Sequence, residues 1–180
     1  MTTKLYNSRE EMKKLNISKL ASRGVKIDEI VDIAYNQQQK YNKNIKRSDV
    51  EESVEKILSL RDIFHLVQLG IEIDRLAEEK LLEGPIQDII FNDLGVFGVD
   101  EIFGLNIANL YGVIGQTNFG DIDVNKPGVV KRLNDEGKPG SPKCHTFLDD
   151  IVGAIAASAT TRVSQIVSED EAKREESWNR

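Results

Sequence analysis

The stretch from residue 99 to residue 115 is apolar nearly all round, with Gly104, Ala108, Gly112 and Gly115 set among larger side chains. A helix with no polar face is normally buried among other helices. Each interior glycine weakens a helix by up to about 1 kcal/mol relative to alanine, so close approach of a neighbour has to compensate. A second segment, from about residue 146 to residue 167, is again rich in small residues and predicts another helix. Strand signals are almost absent. The fold class that follows is all-α, a compact multi-helix bundle.

Local signals fill in the other helices. Ser8-Arg9-Glu10-Glu11 has the form of a capping box, and Gly24 is a suitable C-terminal stop. Ile27, Ile30, Val31 and Ala34 recur at i, i+3, i+4 and i+7, which predicts a helix from residue 27 to about 41. Ser48-Asp49-Val50-Glu51 reads as a second capping box. The helix it opens carries Val50, Val54, Ile57 and Leu58 on one face and continues, with a bend, through residues 61–82. Gly84-Pro85 is a breaker, and Pro85 suits the first position of a short helix ending near Asp93. Residues 117–142 contain Pro127, Pro139 and Pro142 and read as loop, with one short helix near residues 129–133. The expected organisation is one helical domain over residues 1–167, of which 1–45 form a peripheral helical pair. A charged tail, 168–180, completes it.

Composition narrows the function classes. A chain of 180 residues suits a single domain with a sizeable core. With 39% hydrophobic residues, no apolar run approaches the roughly 20 residues that span a bilayer, so no transmembrane segment is expected. No apolar run follows the early Lys, so no secretory signal is expected either. The lone Cys144 cannot form an internal disulfide, which fits a reducing compartment; a cytoplasmic location is the expectation. A net charge of −6 speaks against a nucleic-acid partner.

Two matching acidic segments carry the chemistry. Val99-Asp100-Glu101-Ile102-Phe103-Gly104 and Leu148-Asp149-Asp150-Ile151-Val152-Gly153 share the order apolar, acidic pair, Ile, apolar, Gly. Carboxylates at a helix N-terminus are favoured by the dipole, so one acid in each segment could be a simple cap. Adjacent helical residues point about 100° apart, so both members of a pair cannot be caps. Packing of the two helices through Gly104 and Gly153 would converge four carboxyl groups, which repel one another unless a cation neutralises them. Oxygen-only ligands select a hard ion such as Mg2+. Between the pairs, Asp123 lies three residues ahead of Lys126-Pro127, and a lysine beside a carboxylate-held metal is a reasonable partner for a phosphate oxygen.

In order, Asp100-Glu101-Ile102-Phe103-Gly104, the segment Phe119 to Pro127, and Asp149-Asp150-Ile151-Val152 resemble the phosphatidylglycerophosphatase A family. That family shows DE-x-x-G, F-x-x-x-D-x-x-K-P and DD-I-V segments, and its soluble Gram-positive branch is the most similar over the whole chain. That branch resembles a bundle with one central helix surrounded by others. The resemblance implies a magnesium-dependent phosphatase that converts phosphatidylglycerophosphate, or a related phosphate monoester, to the dephosphorylated product. The family positions fall on Asp100, Glu101, Asp123, Lys126, Asp149 and Asp150. Asp100, Glu101, Asp149 and Asp150 would hold Mg2+, while Asp123, Lys126 and Asp150 would act on the phosphate, either through an activated water or through an aspartyl-phosphate. The membrane-embedded members carry a P-G-T-x-G segment that has no counterpart here, and an Arg where this chain has Gly120.

Other candidates read more simply. His145 could serve as a proton donor but reads first as a local residue at a helix start, and Asn118 and Thr146 as loop caps near the motifs. His65 reads as a core histidine, and Asp74 with Glu78 as a solvated i, i+4 pair. Cys144 has no nucleophilic context beyond His145. The alternative to a phosphatase is a non-catalytic, metal-binding helical protein with a regulatory or interaction role. A lipid phosphate would be met at the inner face of the membrane by peripheral contact, and small-residue helix faces could also serve a homodimer.

Overall fold

The computed structural model describes residues 8–178, with side chains through residue 170. Among the described residues the chain is helical throughout, without strands. In order the elements are α1 (Arg9–Ser22), α2 (Ile27–Gln39), α3 (Arg47–Leu58), α4 (Arg61–Glu78) and α5 (Pro85–Phe91). Then come α6 (Val99–Asn109), α7 (Gly112–Asn125), α8 (Val129–Glu136) and α9 (Leu148–Trp178). The last of these is the central helix, touched by α2, α3, α4, α6, α7 and α8. From Leu148 through Thr161 every residue of α9 is buried, because alanines, glycine and small hydroxyl residues let neighbours approach from all sides.

Where an amphipathic stripe exists, sequence and structure agree. Ile30, Val31 and Ala34 of α2 and Val50, Val54, Ile57 and Leu58 of α3 are all buried. Ser8 caps α1 by accepting the Glu11 N–H at 3.1 Å, and Gly24 takes the expected left-handed conformation after it. α1 packs on α4, whereas α2 lies against α9, with the Gln38 amide donating to Thr160 O at 2.6 Å.

Several boundaries differ from expectation. Ser48 is not a cap: α3 already begins at Arg47, and Ser48 sits within its first turn. α3 and α4 are separate helices, divided at Ser59–Leu60 rather than bent into one. Residues 117–125 are helical and belong to α7, not to a loop. The expected helix over residues 99–115 is two helices, because Gly112 adopts φ +67° and turns the chain back on itself. Nor are these helices enclosed: Ile102, Leu105, Val113 and Ile114 face solvent. α9 runs on through Trp178, past the expected end near residue 167.

The repeated glycines do pack closely, but against a third helix. A Cβ on Gly104 would lie 2.3 Å from Cζ of Phe119, and one on Gly153 would lie 3.1 Å from Cγ2 of Ile122. α7 therefore wedges its Phe119 and Ile122 between the two acidic helices. Gly115 is tighter still, since a Cβ there would stand 2.2 Å from the backbone oxygen of Ala108. Gly115→Ala should destabilise the fold by about 2 kcal/mol despite alanine's better helix propensity, because a backbone carbonyl cannot step aside. Chemical denaturation checks this, and an unchanged or higher midpoint would overturn it.

Candidate metal centre

Three helix ends build the site. Gly98, at φ +67°, delivers the chain into α6 so that Asp100 and Glu101 occupy its first turn. Asp149 and Asp150 occupy the first turn of α9. The third end is the C-terminus of α7, where Lys126 takes the left-handed conformation at φ 43° and its N–H closes on Ile122 O at 2.8 Å. Pro127 then prevents the helix from continuing. The Lys-Pro pair is thus a helix stop, and the stop aims the ammonium back across the site.

The acids divide into two groups. Asp100, Glu101 and Asp150 each offer an oxygen, and these oxygens lie within 4.8 Å of one another. Asp149 is held differently: Lys126 Nζ donates to its Oδ2 at 3.1 Å and to Asp123 Oδ1 at 2.8 Å. The other Asp149 oxygen accepts the Asp150 N–H at 3.1 Å. Asp100 and Asp150 are buried while Glu101 is exposed, so the cluster has a closed floor and one open side.

Electrostatics show how ill at ease these groups are alone. Burial, followed by the hydrogen bond to Glu101 and its charge, pushes Asp100 up to about 8. Burial and the neighbouring charge of Asp149 push Asp150 up to about 9. Asp149 rises only to about 6, because the Lys126 ammonium offsets much of its burial. Burial would lower the Lys126 ammonium, but Asp149 and Asp123 outweigh it and raise it above its ordinary range. Asp100 Oδ1 is buried without a hydrogen-bond partner. An orphaned buried oxygen on a member of a three-carboxylate cluster fits a divalent cation, and an all-oxygen set fits Mg2+ better than zinc.

Two residues of the site escape local sequence reasoning. Asp93, just beyond α5 at φ 46°, is raised by burial of its carboxyl, by Glu101 and by Asp123, against the pull of Lys126. It had read only as the end of a helix. Asp74 is not the solvated residue expected from its pairing with Glu78. It is fully buried, and its two oxygens accept the Phe147 and Leu148 N–H groups, each at 3.0 Å. Burial pushes its carboxyl well up, opposed by those two amides. It thereby caps the helix that presents Asp149 and Asp150. The available signal was its place on the buried stripe Ile63, Val67, Ile71, Asp74 of α4. Glu78 pairs with Arg23 instead.

The remaining candidates lie apart from the carboxylates' chemistry. His145 is buried beside Arg23 and Glu136, and burial followed by the Arg23 charge lowers it to about 4, so it stays neutral. Cys144 is buried against Asp74 and Ile90 O, and burial drives its thiol up to about 12, which removes it as a nucleophile. Thr146 donates to Ile90 O at 2.7 Å, and Asn118 donates to Thr161 at 2.9 Å; both are structural. His65 is exposed on α4 rather than a core residue. A cavity of about 560 Å³ between α2, α7 and α8 is lined by Lys40, Asp121 and Arg132, on the side of α7 away from Asp123.

Comparison with known proteins supplies the context for this geometry. The family model described as phosphatidylglycerophosphatase A matches residues 30–165. Protein YpjQ of Bacillus subtilis is 44% identical over 169 residues, covering 92% of this chain and 93% of that protein. YutG of the same organism is 41% identical over 147 residues, covering 82% of this chain and 87% of its own length. Both are described as uncharacterized. The crystal structure of YpjQ superposes with a TM-score of 0.83 at 42% identity, covering 91% of this chain and 99% of that one. That of the low temperature requirement C protein from Listeria monocytogenes gives a TM-score of 0.82 at 43% identity, covering 87% and 97%.

Proposed function

The chain belongs to the phosphatidylglycerophosphatase A family, and from that membership we propose that it is a magnesium-dependent phosphatase acting on a lipid phosphate or a related phosphate monoester. The observation that carries the reading is the convergence of Asp100, Glu101 and Asp150 oxygens within 4.8 Å, beside a lysine held by Asp123 and Asp149. Bound by those three acids, with Asp149 as a further or alternating ligand, Mg2+ would supply charge neutralisation for the phosphoryl group and an acidified water.

The chain's own residues do the rest. Lys126 has three N–H donors; Asp123 and Asp149 take two, which leaves one to grip a non-bridging phosphate oxygen. Asp123 holds the ammonium in place from within the same helix turn. Asp149 stays closer to its ordinary range than Asp100 or Asp150, and is the group best able to accept a proton near neutrality. Glu101, on the open side, faces arriving substrate. Among the described residues no helix is long and apolar enough to cross a membrane, and on this reading a lipid substrate would be met at a bilayer surface.

The test is phosphate release by the full chain from phosphatidylglycerophosphate in mixed micelles and from soluble phosphomonoesters, with Mg2+ or with chelator. Mg2+-dependent release is expected. Stabilisation by Mg2+ without release from any substrate would leave the non-catalytic, metal-binding alternative. Lys126→Met keeps the side chain's length and backbone preference but removes the donor, and should lower kcat/KM on the order of 100-fold. Unchanged kinetics in that variant would remove Lys126 from the reaction.

A further inference from the structure

The outward face of α7 is made for contact beyond its own chain. Val113, Thr117, Gly120 and Val124 recur at i, i+4, i+7 and i+11 and form one stripe, on which Val113 is 70% and Val124 80% exposed. Beside it, α6 leaves Ile102 54% exposed. Residues 102–120 contain no charged side chain, in a chain that is 30% charged. Interface centres show this depletion.

Gly120 is an independent sign. It lies in the interior of α7 with an ordinary helical φ, and a Cβ placed there would meet nothing within 4 Å. Gly104, Gly115 and Gly153, by contrast, each have a neighbour close enough to exclude or crowd a Cβ. Among the described residues nothing accounts for a helix-weakening glycine at position 120, whereas a second helix crossing closely over it does.

The chemistry of the face selects its occupant. A helix that lies on a bilayer carries basic residues on its flanks, and it has no use for close backbone approach. No Lys or Arg occurs from residue 81 to residue 125, and Asp121 and Asp123 border the stripe, so the face offers nothing cationic to anchor anionic headgroups. A second copy fits better. α7 has no acid in its first turn, so the N-terminal end of its dipole lacks a compensating side chain, whereas Lys126 caps the other end. An antiparallel partner brings Asp121 and Asp123 of one copy towards the uncompensated N-terminus of the other. A twofold axis between Thr117 and Gly120 sets Val113 of each copy opposite Val124 of the other, and Thr117 opposite Gly120.

We infer that the protein forms a twofold dimer through antiparallel packing of α7 on α7, crossing at Gly120. The dimer does not depend on the phosphatase reading. Sedimentation equilibrium of the full chain through the micromolar range should give twice the chain's mass. Gly120→Leu and Val113→Lys should each reduce it to the monomer while the far-UV circular dichroism stays that of the parent, since both positions are open in the single chain. A parent protein that stays monomeric throughout that range, or a dimer that survives both substitutions, overturns the inference. So does a monomer that co-sediments with phosphatidylglycerol vesicles and loses that property in Val113→Lys, which would assign the face to a bilayer.

Discussion

Asp150→Asn is expected to make the metal-free protein more stable and to abolish Mg2+-dependent turnover. Burial and Asp149 raise the Asp150 carboxyl to about 9, from an ordinary 3.8. Between those two values the folded state holds a proton that the unfolded chain releases. The unfolded state therefore binds fewer protons, and stability falls as pH rises from about 4 towards 9. Above that range the loss is complete. Asparagine cannot ionise, so the variant escapes this slope. One pKa unit is worth about 1.4 kcal/mol, and a gain of at least about 2 kcal/mol at pH 8 is expected in the absence of metal. Activity should drop on the order of 1000-fold, because a cluster oxygen is replaced by a neutral amide. The parent's melting temperature should rise on adding Mg2+, and the variant's should not. Urea midpoints across pH decide the first part, and a variant less stable than the parent at pH 8 would sink the account of a strained cluster. Turnover retained in Asp150→Asn would sink the assignment of the acid itself. The gain in stability with loss of function is the pattern expected where a site is kept at the fold's expense.

Asp74→Ala should be the most damaging change outside the carboxylate cluster. It strips both acceptors from the buried Phe147 and Leu148 amides and leaves them without partners. Two buried donors left unpaired, together with a small cavity, cost about 3–4 kcal/mol. Asp74→Asn keeps the shape and one acceptor but turns an amide N–H towards the other donor, so a loss of about 2 kcal/mol is expected. Because the same bonds set the direction in which α9 starts, the Asn variant should also weaken Mg2+ affinity, measured by calorimetry below the melting range. Parent-like affinity in a folded Asp74→Asn protein would confine Asp74 to stability alone.

What the sequence makes legible follows from how local each feature is. The α2 and α3 faces were readable because a stripe of large apolar residues at helical spacing has one physical solution. The acidic pairs were readable because each is a property of a single helix end, whereas the Lys126-Pro127 stop was not, since the helix it ends had read as loop. Asp74 was not, because its partners lie 73 and 74 residues along the chain. The segment 99–115 misled in an instructive way. An all-apolar pattern states that a surface needs cover, but not whether the cover comes from the same chain, and Gly112 let the segment fold into a hairpin with its outer side open. The acidic helices were expected to touch through Gly104 and Gly153. Both glycines are required for closeness, yet the ring of Phe119 is what comes close to Gly104, and glycine spacing alone does not name the partner.

Carrying Asp149 and Asp150 on α9 and Asp100 and Glu101 on α6 has a consequence in time. The backbone of α9 from Leu148 to Thr161 is shielded on every side, so its amide hydrogens can exchange with solvent only when the whole domain opens. Within a single chain the α6–α7 hairpin is covered on one side only, and its amides should exchange through smaller, more frequent openings. The two walls of the site therefore live on different clocks. One is expected to stay in place for as long as the protein is folded, and the other to lift and reseat within that span. The residence time of anything held between Asp100, Glu101 and Asp150 should then follow the hairpin rather than the helix it leans on.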